Sequence, residues 1–289
     1  LDVYVLDTRA GTVKQWVRSV YGSVDPGELA DPELIRWESF DGLKIPGFLY
    51  RPPPKFTGRR PVMIDIHGGP LEQYRPEYSY THNYFVNELG VAVIYPNVRG
   101  SKGYGKRYAS LDDGLRRGDA VKDVGSLLDW IKAQPDLDAD RVLVRGASYG
   151  GYVALSVAAN YGQRIRAVVS DSGISNLTSA VGQNEGWDRE LQRAEFGDER
   201  DPKVKEFFEK AAPANNAAKI KVPLLVIHGA RDARVKIGEA ERMIQAARKH
   251  GRPAWFLIGK NEGHGFTRRS SHDYRMYAEI LFAKEFLLK

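Results

Sequence analysis

The sequence predicts an α/β protein, built on a mostly parallel sheet of about eight strands with helices on both faces. Three observations predict it. Six short apolar runs alternate with stretches of helical period, the order that builds parallel sheets. An antiparallel hairpin leads into them. One of the runs, Val142 to Arg145, passes at once into Gly146-Ala147-Ser148-Tyr149-Gly150, followed by small apolar residues from Val153 to Ala159. Strand, sharp turn and buried helix with serine at the apex make the G-x-S-x-G elbow that presents a nucleophile. The turn strains the serine backbone, and only glycine at 146 and 150 lets strand and helix approach so closely. With 29 glycines in 289 residues, chance would supply this pattern about 0.15 times per chain. The flanking strand and helix therefore carry much of the weight.

Taken in order, residues 1–18 read as a β-hairpin, with alternation from Asp2 to Leu6, a turn at Arg9-Ala10-Gly11 and alternation again from Thr12 to Val17. Such a hairpin cannot bury a face alone; it either packs on the main body or ends a sheet that lies elsewhere. Residues 19–33, with Gly22, Pro26, Gly27 and Pro32, have linker composition. Leu34–Phe40 and Lys44–Tyr50 form a second hairpin around Asp41-Gly42, stopped by Pro52-Pro53-Pro54. The strands that follow are Val62–Ile66, Val91–Tyr95, Val142–Arg145, Ala167–Asp171, Leu224–His228 and Ala254–Ile258. Helical period joins Val121, Val124, Leu128 and Ile131, then Ile237, Ala240, Ile244 and Ala247 with Gly251 as cap, and finally Tyr274–Leu287. This is the α/β-hydrolase architecture, with residues 1–33 as hairpin and linker and 34–289 as the main domain. One long excursion, Asn176 to Lys221, carries Trp187, Phe196, Phe207 and Phe208 and is expected to fold over the site.

Composition narrows the function classes. Apolar content of 42% and charged content of 28% are ordinary for a globular chain. A net charge of +6 is mild, and basic residues cluster only in pairs such as Arg59-Arg60 and Arg116-Arg117, which argues against a nucleic-acid partner. The absence of cysteine excludes disulfides and thiolate metal sites. It leaves the compartment open, the cytoplasm being favoured. No apolar run approaches eighteen residues, so neither a membrane span nor a signal peptide is expected. Beginning at Leu1 rather than Met, the chain reads as a processed form or a piece of a longer one. No cofactor and no metal are expected.

A serine at an elbow needs a base, and the base needs a carboxylate to hold its tautomer. Both should follow Ser148 in the order Asp then His, on loops at the carboxyl ends of later strands. Asp232 lies in the loop after Leu224–His228, and His264 in the loop after Ala254–Ile258, so the two fall one strand apart. His67 and His228 precede glycines at strand ends and read as structural; His82 and His250 sit in helical segments, and His272 begins the last helix. Asp65 and Asp171 are alternative carboxylates on the wrong strands. The oxyanion of an acyl-transfer intermediate needs two N–H donors. Tyr149, after the nucleophile, supplies one, and the loop His67-Gly68-Gly69-Pro70 supplies the other.

Five motifs then carry a family resemblance: HGGP at 67–70, NVRGSKGYG at 97–105, GASYGGY at 146–152, HGARDARV at 228–235 and NEGHGF at 261–266. In this order they resemble the catalytic domain of the prolyl oligopeptidase family of serine peptidases, from about Pro32 to the C-terminus. Residues 31–52 are similar to the segment that enters this domain in bacterial members. The resemblance implies Ser148 as nucleophile, His264 as base, Asp232 as its orienting partner, and the N–H groups of Tyr149 and Gly69 as oxyanion hole. It also implies a β-propeller before the domain, of which residues 1–18 look like the last blade's end. An aromatic acyl-side pocket is implied as well, for which Trp187 and Tyr152 are candidates; core packing of the excursion is the other reading of Trp187. Post-proline branches have Tyr where this chain has His67; the chain is more similar to the acylaminoacyl-peptidase and bacterial branch, and proline preference is not implied.

The expected function is a serine hydrolase that cleaves small peptide or aminoacyl substrates through an acyl-enzyme. Carboxylesterase is the alternative, because the triad chemistry is shared. A non-catalytic binding module on the same fold is the third reading, and the intact Ser148, Asp232, His264 and glycine loop argue against it. An open apolar face at the strand ends would favour self-association.

Overall fold

The computed structural model describes residues 2–20, 24–183 and 185–289. Leu1, Gly22 with its two neighbours in the expected linker, and Asn184 lie outside the described residues. Strands β1 (Val3–Asp7) and β2 (Thr12–Val17) pair antiparallel in a sheet of their own. The main sheet comprises β3 (Pro32–Glu38), β4 (Lys44–Tyr50), β5 (Arg60–Ile66), β6 (Ala92–Pro96), β7 (Leu137–Ala147), β8 (Ala167–Asp171), β9 (Leu224–Gly229) and β10 (Ala254–Gly259). Its order is β10-β9-β8-β7-β5-β6-β4-β3. From β6 to β10 every pair is parallel; β4 runs antiparallel to both of its neighbours. The helices are α1 (Tyr80–Asn87), α2 (Lys106–Ala109), α3 (Gly118–Ala133), α4 (Tyr149–Tyr161), α5 (Leu177–Gln183), α6 (Gly186–Phe196), α7 (Pro202–Ala211), α8 (Gly238–Lys249) and α9 (Arg269–Phe286).

The central strands read as unbroken apolar runs because both faces of the sheet are covered. Side chains alternate between the faces. Val62, Ile64, Val142, Val144, Leu224 and Val226 pack with α3, α4 and α8 on one side. Met63, Leu143, Leu225 and Ile227 pack with Phe85 of α1 and Phe282 of α9 on the other. Burying side chains of this kind contributes about 1.5–3 kcal/mol each before entropy is counted.

Several element boundaries depart from the sequence reading; α9, for instance, begins at Arg269 rather than Tyr274, and two departures have a clear physical reason. β3 begins at Pro32 rather than Leu34, because an edge strand loses no ladder bond to a proline at its first position. β7 begins at Leu137 rather than Val142, since Arg60 pairs with Leu137 across the charged stretch Asp138–Arg141 that masks the strand in the sequence. The hairpin β1–β2 keeps all its apolar residues but the half-buried Val5 exposed, Trp16 at 69% and Val13 at 64% among them. No described helix is long and apolar enough to cross a membrane.

Candidate active site

Ser148 stands between β7 and α4 with φ 56° and ψ −120°. Such a backbone costs a non-glycine residue on the order of 1–3 kcal/mol, and the surroundings must hold it there. Three restraints are visible. Ser148 N donates to Asp171 O at 2.8 Å, tying the turn to β8. A Cβ on Gly146 would lie 2.2 Å from Gly150 O, and one on Gly150 would lie 2.0 Å from Ile66 O. Both glycines are therefore required by main chain pressing on main chain. Behind the turn, α4 is buried from Tyr149 to Ala159, with its positive end at Ser148.

The HGGP loop leans on this turn from β5. A Cβ on Gly68 would sit 3.4 Å from Ser148 Cβ and 3.4 Å from Ala147 O. Gly69, at φ 111°, has no room for a side chain, with Leu71 N 2.6 Å from where its Cβ would be. His67 is buried beneath the loop, donating from Nδ1 to Gly68 O at 2.7 Å with Nε2 2.8 Å from Ser101 Oγ. Burial pushes its imidazole below the ordinary value. His67 thus shapes the loop from below.

Two loops bring Asp232 and His264 together. The loop after β9 and the loop after β10 are stitched by main-chain bonds, Ala230 N to Gly259 O and Arg231 N to Glu262 O, both 2.9 Å. Gly229 permits it, since a Cβ there would lie 2.1 Å from Gly263 O. Asp232 Oδ1 accepts from Arg234 N at 2.8 Å and Val235 N at 2.9 Å. Its Oδ2 accepts from His264 Nδ1 at 2.8 Å and lies 3.4 Å from His228 Nε2. Burial alone would raise this carboxyl; the His228, His264 and Val235 donors outweigh it and hold Asp232 below the usual carboxylate range. An imidazole that donates from Nδ1 leaves Nε2 free to accept a proton, which is what a general base requires.

A second polar cluster supports the turn from the other side. Tyr149 Oη donates to Asp112 Oδ2 at 3.0 Å, and Arg117, fully buried, pairs with the same oxygen. Arg117 also donates to Glu195 O at 2.6 Å and stacks over Phe196, so it ties the end of α6 to the elbow. Burial pushes the Asp112 carboxyl up to about 6 against the pull of Arg117 and Tyr149. Asp112, Asp113 and Glu195 are close enough to share an ion, but Arg117 already supplies the positive charge to Asp112 and Glu195. Sequence reasoning missed this cluster because its partners lie up to 78 residues apart; a charged residue in an apolar surround leaves no periodic signal.

The remaining candidates are placed as follows. Tyr152 is 1% exposed and packs on Tyr149 at 5.9 Å, so its ring belongs to the core and offers no face to a substrate. Trp187, on α6, is 75% exposed. Asp65 is taken by Arg145 at 2.9 Å and His82 at 3.0 Å, and Asp171 by Arg275 at 2.6 Å. Both rival carboxylates are spent on buried ion pairs. A cavity of about 290 Å³ lined by Leu29, Tyr50, His82 and Tyr95 includes none of the residues assembled at the Ser148 turn.

Comparison with known proteins gives a consistent result. The Prolyl oligopeptidase family pattern matches residues 76–289. An uncharacterized peptidase of Bacillus subtilis is 33% identical over 245 residues, covering 82% of this chain and 36% of that protein. Dipeptidyl aminopeptidase BIII of Pseudoxanthomonas mexicana is 31% identical over 212 residues, covering 72% of this chain and 30% of that protein. A puromycin-hydrolyzing peptidase of Mycobacterium tuberculosis superposes with a TM-score of 0.90 over 99% of this chain and 44% of that one; at 24% identity the likeness speaks for the fold. The chain thus spans roughly a third of the length of the curated relatives it matches.

Proposed function

The chain belongs to the prolyl oligopeptidase family, and from that premise we propose that it cleaves peptide or aminoacyl bonds by acyl transfer to Ser148. In this reading Ser148 Oγ attacks the carbonyl carbon while His264 Nε2 takes its proton. The carbonyl oxygen becomes an oxyanion that Tyr149 N–H and Gly69 N–H receive. Collapse of the tetrahedral species breaks the C–N bond, and the imidazolium gives its proton to the departing amine. Water, deprotonated by the same imidazole, then releases the acyl group and restores Ser148. Asp232 keeps the Nδ1–H tautomer in place and faces the imidazolium as it forms.

The observation that carries this reading is the Asp232–His264 bond of 2.8 Å, made by a carboxylate whose other oxygen is already saturated by main-chain donors. A carboxylate so fixed can orient an imidazole at little cost when charge develops. The relatives named above are peptidases, which does not favour the carboxylesterase alternative. Labelling with a fluorophosphonate probe tests the reading: wild type should be modified at Ser148, and the Ser148→Ala chain should not. A wild-type chain inert to the probe would mean a binding module. A panel of aminoacyl anilides and short-chain esters would then separate peptidase from esterase.

A further inference from the structure

His228, next to last in β9, is fully buried and stands outside the three residues assigned above. Its Nε2 lies 2.8 Å from Val235 O and 3.4 Å from Asp232 Oδ2. Both neighbours can only accept, so Nε2 carries the hydrogen. Its Nδ1 is buried with no partner among the described residues. Burying an imidazole with one idle nitrogen costs free energy that an aliphatic strand residue would not. That cost must be offset at Nε2.

We propose that His228 is a positioning residue for Asp232, acting through its hydrogen bond to Val235 O and its close approach to Asp232 Oδ2. The segment from Asp232 to Val235 closes on itself, because Val235 N donates to Asp232 Oδ1 at 2.9 Å. Val235 O is the free end of that closure, and His228 pins it. The same N–H faces Oδ2, the oxygen that receives His264. The ring therefore sets the tilt of the carboxylate plane from one side while the main chain sets it from the other. Without it Val235 O loses its buried donor, the loop relaxes, and the imidazole of His264 follows its acceptor. The proposal rests on reading Ser148, Asp232 and His264 as a triad.

The test compares His228→Phe, which keeps a ring but no donor, with His228→Gln, whose amide can reach Val235 O. Three quantities are read on the full chain: kcat and KM on an aminoacyl anilide, and the low-field proton resonance of the His264 imidazole bonded to Asp232. In His228→Phe, kcat should fall about 10- to 100-fold, the size of loss seen when the group that orients a metal-ligating residue is removed. KM should change little, and the low-field proton should shift or broaden away. His228→Gln should recover most of the loss. Should the Phe variant fail to fold, His228→Asn, too short to reach Val235 O, takes its place. Wild-type kcat in the donorless variant, an unmoved proton resonance, or Gln behaving no better than Phe would each overturn the proposal. A wild type without hydrolytic activity would sink the triad reading instead, and the resonance would still report on His228.

Discussion

Asp232 and Asp112 are both buried carboxylates of the same domain, and the two regions around them treat charge in opposite ways. At Asp232 two main-chain N–H groups and two imidazoles surround the oxygens, and the carboxyl is held below its ordinary range. At Asp112 one oxygen takes both Arg117 and Tyr149 Oη while the other has no partner among the described residues, and burial pushes it up to about 6. Burial raises both carboxyls; at Asp232 the donors outweigh it, and at Asp112 they do not. The first region is built to present a fixed negative charge to an imidazole. The second is built to hold Tyr149 and the end of α6 in place, and it tolerates a proton.

Replacing the serine between the two regions gives the largest expected effect. Ser148→Ala should lower kcat by about 10⁶-fold with thermal stability retained, because alanine fits the space of serine. Turnover near the wild-type rate would leave the saturated Asp232 with no chemical task. The contrast itself is broken or kept by paired substitutions. Asp232→Asn should lower kcat about 10⁴-fold by favouring the wrong tautomer, whereas Asp112→Asn should cost less than about tenfold, since it touches only the support of Tyr149. Equal losses in the two variants would make them one unit.

Stability as a function of pH sharpens the comparison further. Asp232 has a depressed folded-state pKa, so its contribution is in place above about pH 4 and is lost only as pH falls through a value well below that. Asp112 has a raised one, so its contribution is full below about pH 4 and is lost as pH rises through about 6. Between pH 4 and 6 the wild type should therefore lose up to about 3 kcal/mol relative to Asp112→Asn. Denaturant titrations of both chains across that window would measure it, and parallel pH profiles would refute it. The smallest effect is expected at the surface. Trp187→Ala should change selectivity between alanyl and phenylalanyl anilides by a few-fold, as loss of one apolar contact does; a change under about twofold would remove Trp187 from the substrate's path.

What could be read from the residues alone follows the range of the forces involved. The elbow, the strand runs and the Asp-then-His order are local or periodic, and the sheet is where alternation places it. Tyr152 lies in the elbow motif, yet the helix turns its ring onto Tyr149 and into the core, which the sequence pattern alone does not show. Arg117 and Asp112 lie within five residues of each other in a stretch rich in charge, and nothing in that stretch distinguishes a solvated pair from a fully buried one. His228 looked structural because a histidine before a glycine at a strand end is ordinary. Its reach to Val235 and Asp232 depends on a loop closure that only the three-dimensional path reveals.

The stitching at Gly229 has a consequence for how freely this protein can be re-engineered. The spacing between acid and imidazole is set there by backbone atoms, through Ala230 N to Gly259 O and Arg231 N to Glu262 O, and by the missing Cβ that lets Gly263 O come close. The side chains of Ala230, Arg231, Lys260 and Asn261 contribute nothing to these main-chain links. The two loops therefore behave as a socket whose rim can be rewritten. New side chains at those four positions could be screened for substrate contacts with the chemistry left intact, provided the glycine at 229 is kept.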